Sequence, residues 1–223
     1  MALKTGTLIV SRGNYEIMKK KEIDEYYSLL LPLYEKFGYR PALRGQKSAD
    51  VHGFTIQMYV GLGFFPSADK ALECHQSAEY KETVKIREKF MSDYQLTLFA
   101  KPDNAFGDNL EDGYVSAGKN YEETKTFIIY RNNMDFTKMN QFNHILSGIN
   151  DVMLKHSYQP FYFGKKIKDI EGKNTVQDYI GVGFYPDINK ARNCFLDGEY
   201  HLLSDKREPF VSDYETAIYG PAS

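Results

Sequence analysis

Apolar residues recur along this chain in two rhythms, and the pair of rhythms is played twice. Thr7 to Val10 and Thr126 to Tyr130 are short β-branched and aliphatic runs, which predict a first strand in each half. Ile23, Tyr26, Tyr27, Leu30, Leu33, Tyr34 and Phe37 then follow at three-to-four spacing. Met139, Phe142, Ile145, Leu146, Ile149, Val152, Met153 and His156 do the same, so each half carries a helix with one apolar stripe. Gly38 suits a left-handed helix end, and Pro41 favours extended chain, which starts a second strand. Gly53 and Gly172 mark turns before third strands over Thr55 to Phe65 and Thr175 to Tyr185. Ser67 and Asp187 are good caps for a second helix, and Tyr94 to Ala100 and Tyr214 to Gly220 read as last strands.

The order strand, helix, strand, strand, helix, strand is the ferredoxin-like split unit of the α+β class, with both helices on one sheet face. The other face needs a cover. Two tandem βαββαβ units can supply it for each other, packed sheet to sheet as an intramolecular pseudo-dimeric α+β barrel.

That the halves are copies follows from direct comparison. Tyr59-Val60-Gly61-Leu62-Gly63-Phe64-Phe65-Pro66 returns as Tyr179-Ile180-Gly181-Val182-Gly183-Phe184-Tyr185-Pro186. The same step carries Cys74 to Cys194, Glu79-Tyr80 to Glu199-Tyr200, Arg87 to Arg207 and Ser92-Asp93-Tyr94 to Ser212-Asp213-Tyr214. About 16 of roughly 42 gapless positions are identical, far above chance. Upstream, Arg12 matches Arg131, Tyr39 matches Tyr158 and Gly53 matches Gly172 one residue out of step, which places a single inserted residue just before Gln177.

Composition adds a third segment. Between the copies, Asp103, Asp108, Glu111, Asp112, Glu122 and Glu123 face only Lys119, so residues 102–123 read as an acidic linker between repeats 1–101 and 124–223. The 223 residues carry a formal net charge of −2, which argues against a nucleic-acid partner. No apolar run is long enough for a membrane span, and the first ten residues lack a secretion signal, so a cytoplasmic protein without a membrane partner is expected.

Phe37-Gly38-Tyr39-Arg40-Pro41-Ala42-Leu43-Arg44-Gly45, Phe65-Pro66-Ser67 and Ser77-Ala78-Glu79-Tyr80 resemble the domain-of-unknown-function family thirteen-thirty, of the dimeric α+β barrel superfamily. That family shows a second strand ending in Arg-Gly, a Leu-Glu-Gly turn, a Phe-Pro-Ser helix start and a Ser-Pro-Glu-Tyr helix end. Each copy keeps a different part of the pattern. The first has Arg40 and Arg44 but His52 where the turn glutamate belongs; the second has Ile170-Glu171-Gly172 but Gln159 and Phe163 in place of the arginines. Two equivalent pockets are therefore not expected, and one pocket centred on Arg44 is. The heme-degrading relatives use a Trp and a His on the second helix; the corresponding positions here lie near Cys74 and Val84, and the chain has no tryptophan.

The residues themselves leave two function classes open. One is a small-molecule enzyme or binding barrel without metal or cofactor, in which Arg44 orients an anionic or aromatic ligand and His52 or Tyr59 carries a proton, with Arg12, Arg40, His75 and Glu171 as further ligand contacts. The other is a non-enzymatic interaction or stress-response module, open to further self-association. Arg12 and Arg131 read first as solvated strand ends or ion pairs, and His75 as a surface or interfacial histidine. His144, His156 and His201 lack ligand spacing, so no metal is expected. Cys74 and Cys194 fall on opposite flanks and read as small buried thiols. Gly61-Leu62-Gly63 lacks the third glycine of a nucleotide-binding fingerprint and lies within a strand.

Overall fold

A computed structural model of the chain describes residues 6–101 and 126–221; the expected linker, 102–123, lies outside them. The first repeat runs β1 (Thr7–Tyr15), α1 (Lys20–Lys36), β2 (Arg40–His52), β3 (Tyr59–Phe65), α2 (Ala68–Gln76), α3 (Ala78–Arg87) and β4 (Met91–Ala100). The second repeats it as β5 (Thr126–Met134), α4 (Met139–Lys155), β6 (Gln159–Glu171), β7 (Tyr179–Tyr185), α5 (Ile188–Phe195), α6 (Gly198–Arg207) and β8 (Val211–Gly220). Single 3-10 turns at Phe136–Lys138 and Glu208–Phe210 precede α4 and β8.

The eight strands close into one antiparallel barrel in the order β1-β3-β2-β8-β5-β7-β6-β4, with all six helices outside. Closure depends on the length of β2 and β6. The first half of β2 pairs with β3, while its tail from Gln46 to His52 pairs with β8 of the other repeat. Likewise β6 pairs first with β7, then from Lys165 to Glu171 with β4. Each repeat thus lends a strand tail to the other's sheet, and among the described residues no strand edge is left open.

Strand alternation divides the core. Inside the barrel lie Leu8, Val10, Phe64, Phe99, Phe127 and Phe184. Outside it, Ile9, Leu96 and Leu98 meet the α1 stripe of Tyr26, Leu30, Leu33 and Tyr34, and Ile128 and Ile218 meet Ile149, Val152 and Met153 of α4. Each such side chain contributes about 1.5–3 kcal/mol on full burial.

Five features differ from the sequence expectation, one being that the last strands begin three residues early, at Met91 and Val211. The first strands extend past Val10 and Tyr130, so Arg12 and Arg131 lie within strands and are buried, not at solvated ends. The second helix of each repeat is two helices: Ser77 is extended, caps Tyr80 N with its hydroxyl at 3.1 Å, and starts α3. The third strands begin at Tyr59 and Tyr179, because Thr55 and Gln57 turn inward and bond to each other at 2.8 Å instead of joining a ladder. The inserted residue falls between Gly172 and Thr175, since Thr55 N meets Asp50 and Thr175 N meets Asp169 in the same way.

The Gly-Leu-Gly run has a packing explanation. A Cβ on Gly63 would enter the Tyr39 ring and one on Gly183 the Tyr158 ring, so these glycines seat tyrosines on the sheet. Among the described residues no helix is long and apolar enough to cross a membrane, and Cys74 and Cys194 are buried free thiols.

Candidate functional site

The strand exchange brings the tip of β6 beneath α2 and α3 of the first repeat. Between them lies an open cleft of about 350 Å³. Leu72, Val84 and Ile170 form its apolar walls, and His75, Tyr80 and Glu171 supply polar groups. Lys81 and Lys168 also line it; both are exposed, and neither makes an ion pair among the described residues.

Beneath the cleft is a hydrogen-bonded cluster drawn from both repeats. Arg87 Nη2 donates to Glu171 Oε2 at 2.5 Å and Arg87 Nη1 to Oε1 at 3.2 Å, a two-pronged pair that fits guanidinium to carboxylate. Tyr80 OH donates to the same Oε1 at 2.5 Å. The Arg87 guanidinium also lies over the Tyr94 ring, 3.7 Å from its centroid. Burial alone would raise the Glu171 carboxyl, but hydrogen bonds from Arg87 and the Arg87 charge bring it below its usual value, so it is ionised at neutral pH. Burial raises the Tyr80 phenol well above its ordinary range.

His75 is buried, which corrects its reading as a surface histidine. It contacts the Ala71 carbonyl through Nδ1 at 2.6 Å and the Tyr34 hydroxyl through Nε2 at 2.9 Å. With Nδ1 donating to the carbonyl, Nε2 accepts from Tyr34, and the ring is neutral. Burial lowers it to about 4, against the raising effect of the Ala71 carbonyl and Glu171. The cleft therefore holds one fixed carboxylate, one fixed phenol and one neutral imidazole. It can bind and orient a ligand, and none of the three groups changes protonation near neutrality.

The other half has the same frame with different chemistry. Arg207 lies over Tyr214 at 3.5 Å as Arg87 lies over Tyr94, but the tip of β2 presents His52 in place of the acid. His52 Nε2 is 3.4 Å from Tyr200 OH, and burial, then Arg207, lowers it to about 4. Arg207 bonds Ser204 Oγ at 2.9 Å and has no carboxylate partner among the described residues. The halves are not equivalent.

Of the residues singled out from sequence, the cleft gathers His75 and Glu171. Arg44 is exposed and stacks on Tyr27 of α1, 4.6 Å from its centroid, and does not line the cleft. Arg40 is exposed at the start of β2. Tyr59 meets Tyr15 edge-on at 4.9 Å, and Arg12 points into the barrel toward Gln95 and Glu215. Arg87, Lys81 and Lys168 were not singled out, and Tyr80 was noted only as a recurring tyrosine that could line a pocket, with a core role preferred. The recurrence of Tyr80 and Arg87 in both copies was visible, but it reads equally as shared core.

The architecture is that of the dimeric α+β barrel proteins, with both ferredoxin-like units in one chain. Residues 9–101 match the family described as Domain of unknown function (DUF1330), and the second repeat reproduces part of the same pattern. Solved structures similar over nearly the whole chain include an anthrone oxidase-like protein, with TM-score 0.59 and 8% identity over 100% of this chain and 94% of that one. A mutant chlorite dismutase from Candidatus Nitrospira defluvii has TM-score 0.57 and 6% identity, over 99% and 93%. A heme-binding protein from Thermus thermophilus has TM-score 0.52 and 8% identity, over 97% and 91%. No curated protein matched the sequence. At these identities the likeness is one of fold. The one imidazole that lines the cleft, His75, has both ring nitrogens engaged and so offers no free nitrogen as an axial ligand to a heme. Among the described residues no three His, Cys, Asp or Glu side chains converge as a metal site.

Proposed function

We propose that the protein binds a small organic acid in the cleft between α2, α3 and the β6 tip. The observation that carries this reading is the cluster at the cleft's base, where an ionised Glu171 is held by Arg87 and Tyr80 below two lysines that have no ion-pair partner among the described residues. The apolar body of the ligand would lie against Leu72, Val84 and Ile170. Its anionic group would face Lys81 and Lys168, and a hydroxyl or N–H at its other end would donate to Glu171. That an oxidase-like and a heme-binding protein share the fold makes small-molecule work a natural use of the scaffold, by analogy.

A thermal-shift screen of hydroxylated aromatic and aliphatic carboxylic acids tests the proposal. At least one acid should raise the midpoint of the native chain, and Lys81→Glu with Lys168→Glu should abolish the rise without changing the midpoint of the free protein. Equal shifts in both proteins, or none in the native chain, would reject the cleft as a binding site for this class.

A further inference from the structure

The barrel interior has an apolar end and a polar end, and at the polar end one buried guanidinium nitrogen, Arg12 Nη1, has no acceptor among the described residues. The inward alternation of Leu8 and Val10 in β1 continues to Arg12, and that of Phe127 and Ile129 in β5 continues to Arg131. The two strands are opposite each other in the closed barrel, so the guanidinium groups approach its axis from two sides. Each has a cross-strand partner: Gln95 of β4 is in register with Arg12, and Glu215 of β8 with Arg131. The same position is an amide in one copy and a carboxylate in the other.

Arg131 Nη2 is hydrogen-bonded and ion-paired to Glu215 Oε1. Arg12 Nη2 bonds the Gln95 amide oxygen, and its Nη1 is 3.6 Å from the same Glu215 oxygen, beyond hydrogen-bond distance. The nearby carboxylates are engaged with lysines, and none of them is bonded to Arg12. Lys47 pairs with Asp50 at 2.8 Å, and Lys166 with Asp169 at 3.8 Å, while Asp169 also accepts from Thr97 at 2.8 Å and from Thr175 N at 3.2 Å. Asp178, which meets Lys166 at 3.1 Å, is largely exposed. Two guanidinium groups therefore share one carboxylate. Both arginines are only 5% exposed, and Arg12 Nη1 is buried with no hydrogen-bond acceptor among the described residues. A buried charged donor without an acceptor is costly, and a second negative charge would remove the cost. Burial and then the Arg131 charge lower the Arg12 guanidinium to about 9, against the raising effect of Glu215, Tyr219 and Asp169.

We propose that a small monovalent anion, of the size of chloride, nitrate or formate, binds inside the barrel against Arg12 Nη1, with Arg131 as the second positive charge. The anion supplies the charge that Glu215 supplies in the other copy and that Gln95 does not. This site lies inside the barrel, separate from the cleft outside it.

The test is the thermal midpoint as gluconate is exchanged for chloride, nitrate or formate at constant ionic strength, in the native chain and in Gln95→Glu. The native midpoint should rise saturably, by about 4 °C. Gln95→Glu, which places a carboxylate in register with Arg12, should respond to none of the three. An identical response in both proteins, or no saturable response in the native chain, would overturn the proposal. Should Gln95→Glu not fold, anomalous diffraction from bromide-soaked native crystals decides: a bromide peak within hydrogen-bond distance of Arg12 supports the site, and its absence overturns it.

Discussion

Replacing Glu171 by Gln isolates the contact that joins the two repeats beneath the cleft. The substitution keeps the shape of the side chain and one acceptor oxygen. It removes the charge that faces Arg87, a residue only 4% exposed. Removing one partner of a fully buried ion pair costs about 3–5 kcal/mol. Glu171 is 22% exposed on its side chain and Gln still accepts one hydrogen bond, so a loss of about 2–3 kcal/mol is expected at pH 7. For a chain of this size that lowers the midpoint by about 5–10 °C. Urea unfolding followed by circular dichroism and tyrosine fluorescence measures it, and the absence of tryptophan leaves the tyrosine signal uncovered. The effect has a pH signature. Glu171 titrates below its ordinary 4.5 in the folded chain, so its stabilisation is complete above that value and disappears as pH falls through the folded value. The gap between native and Glu171→Gln should therefore close toward pH 3. A difference under about 0.5 kcal/mol at pH 7, or a gap that persists unchanged at pH 3, would refute the reasoning.

Three further outcomes are expected. His75 is lowered to about 4, so the unfolded chain binds its proton first and stability falls from about pH 6.5 toward 4; in His75→Phe, which copies Phe195, that contribution is gone. Urea midpoints at pH 7 and pH 5 should show the variant gaining on the native chain as pH drops. Ser157 occupies the place of Gly38 with φ of 67°, and Ser157→Gly should add about 0.5–1 kcal/mol, read from the same urea curves. Gly63→Ala should cost about 3 kcal/mol or prevent folding, because its methyl group meets the Tyr39 ring, and double substitution with Tyr39→Ala should recover part of the loss, seen in thermal midpoints.

Much of the barrel was legible because the repeats mark the same turns and stripes twice. Tyr26, Leu30 and Leu33 carry a helical period, and Gly38, Gly53 and Gly172 occupy turns with positive φ. The tails of β2 and β6 were not legible. Lys47 to His52 and Lys165 to Glu171 are mostly polar, since one side of each tail faces the polar end of the barrel, so no hydrophobic alternation announces a strand. Those tails decide the site. Sequence comparison sets Glu171 beside Gln159 and Phe163, residues of its own strand, whereas the fold sets it beside Tyr80 and Arg87, 84 residues or more away. The expectation of a pocket at Arg44 came from a strand motif whose arginine stacks on Tyr27. The unequal halves were foreseen, and the exchange of strand tails supplies the reason: the acid and the helices that use it come from different copies.

The central claim, that this cleft takes a small organic acid, is tested most directly by saturation-transfer NMR with a panel of hydroxylated carboxylic acids on the native chain and on Lys81→Glu with Lys168→Glu. Transfer to at least one acid in the native protein, lost in the double variant, is the result predicted here. Transfer to none, or transfer of equal strength in both proteins, would contradict it.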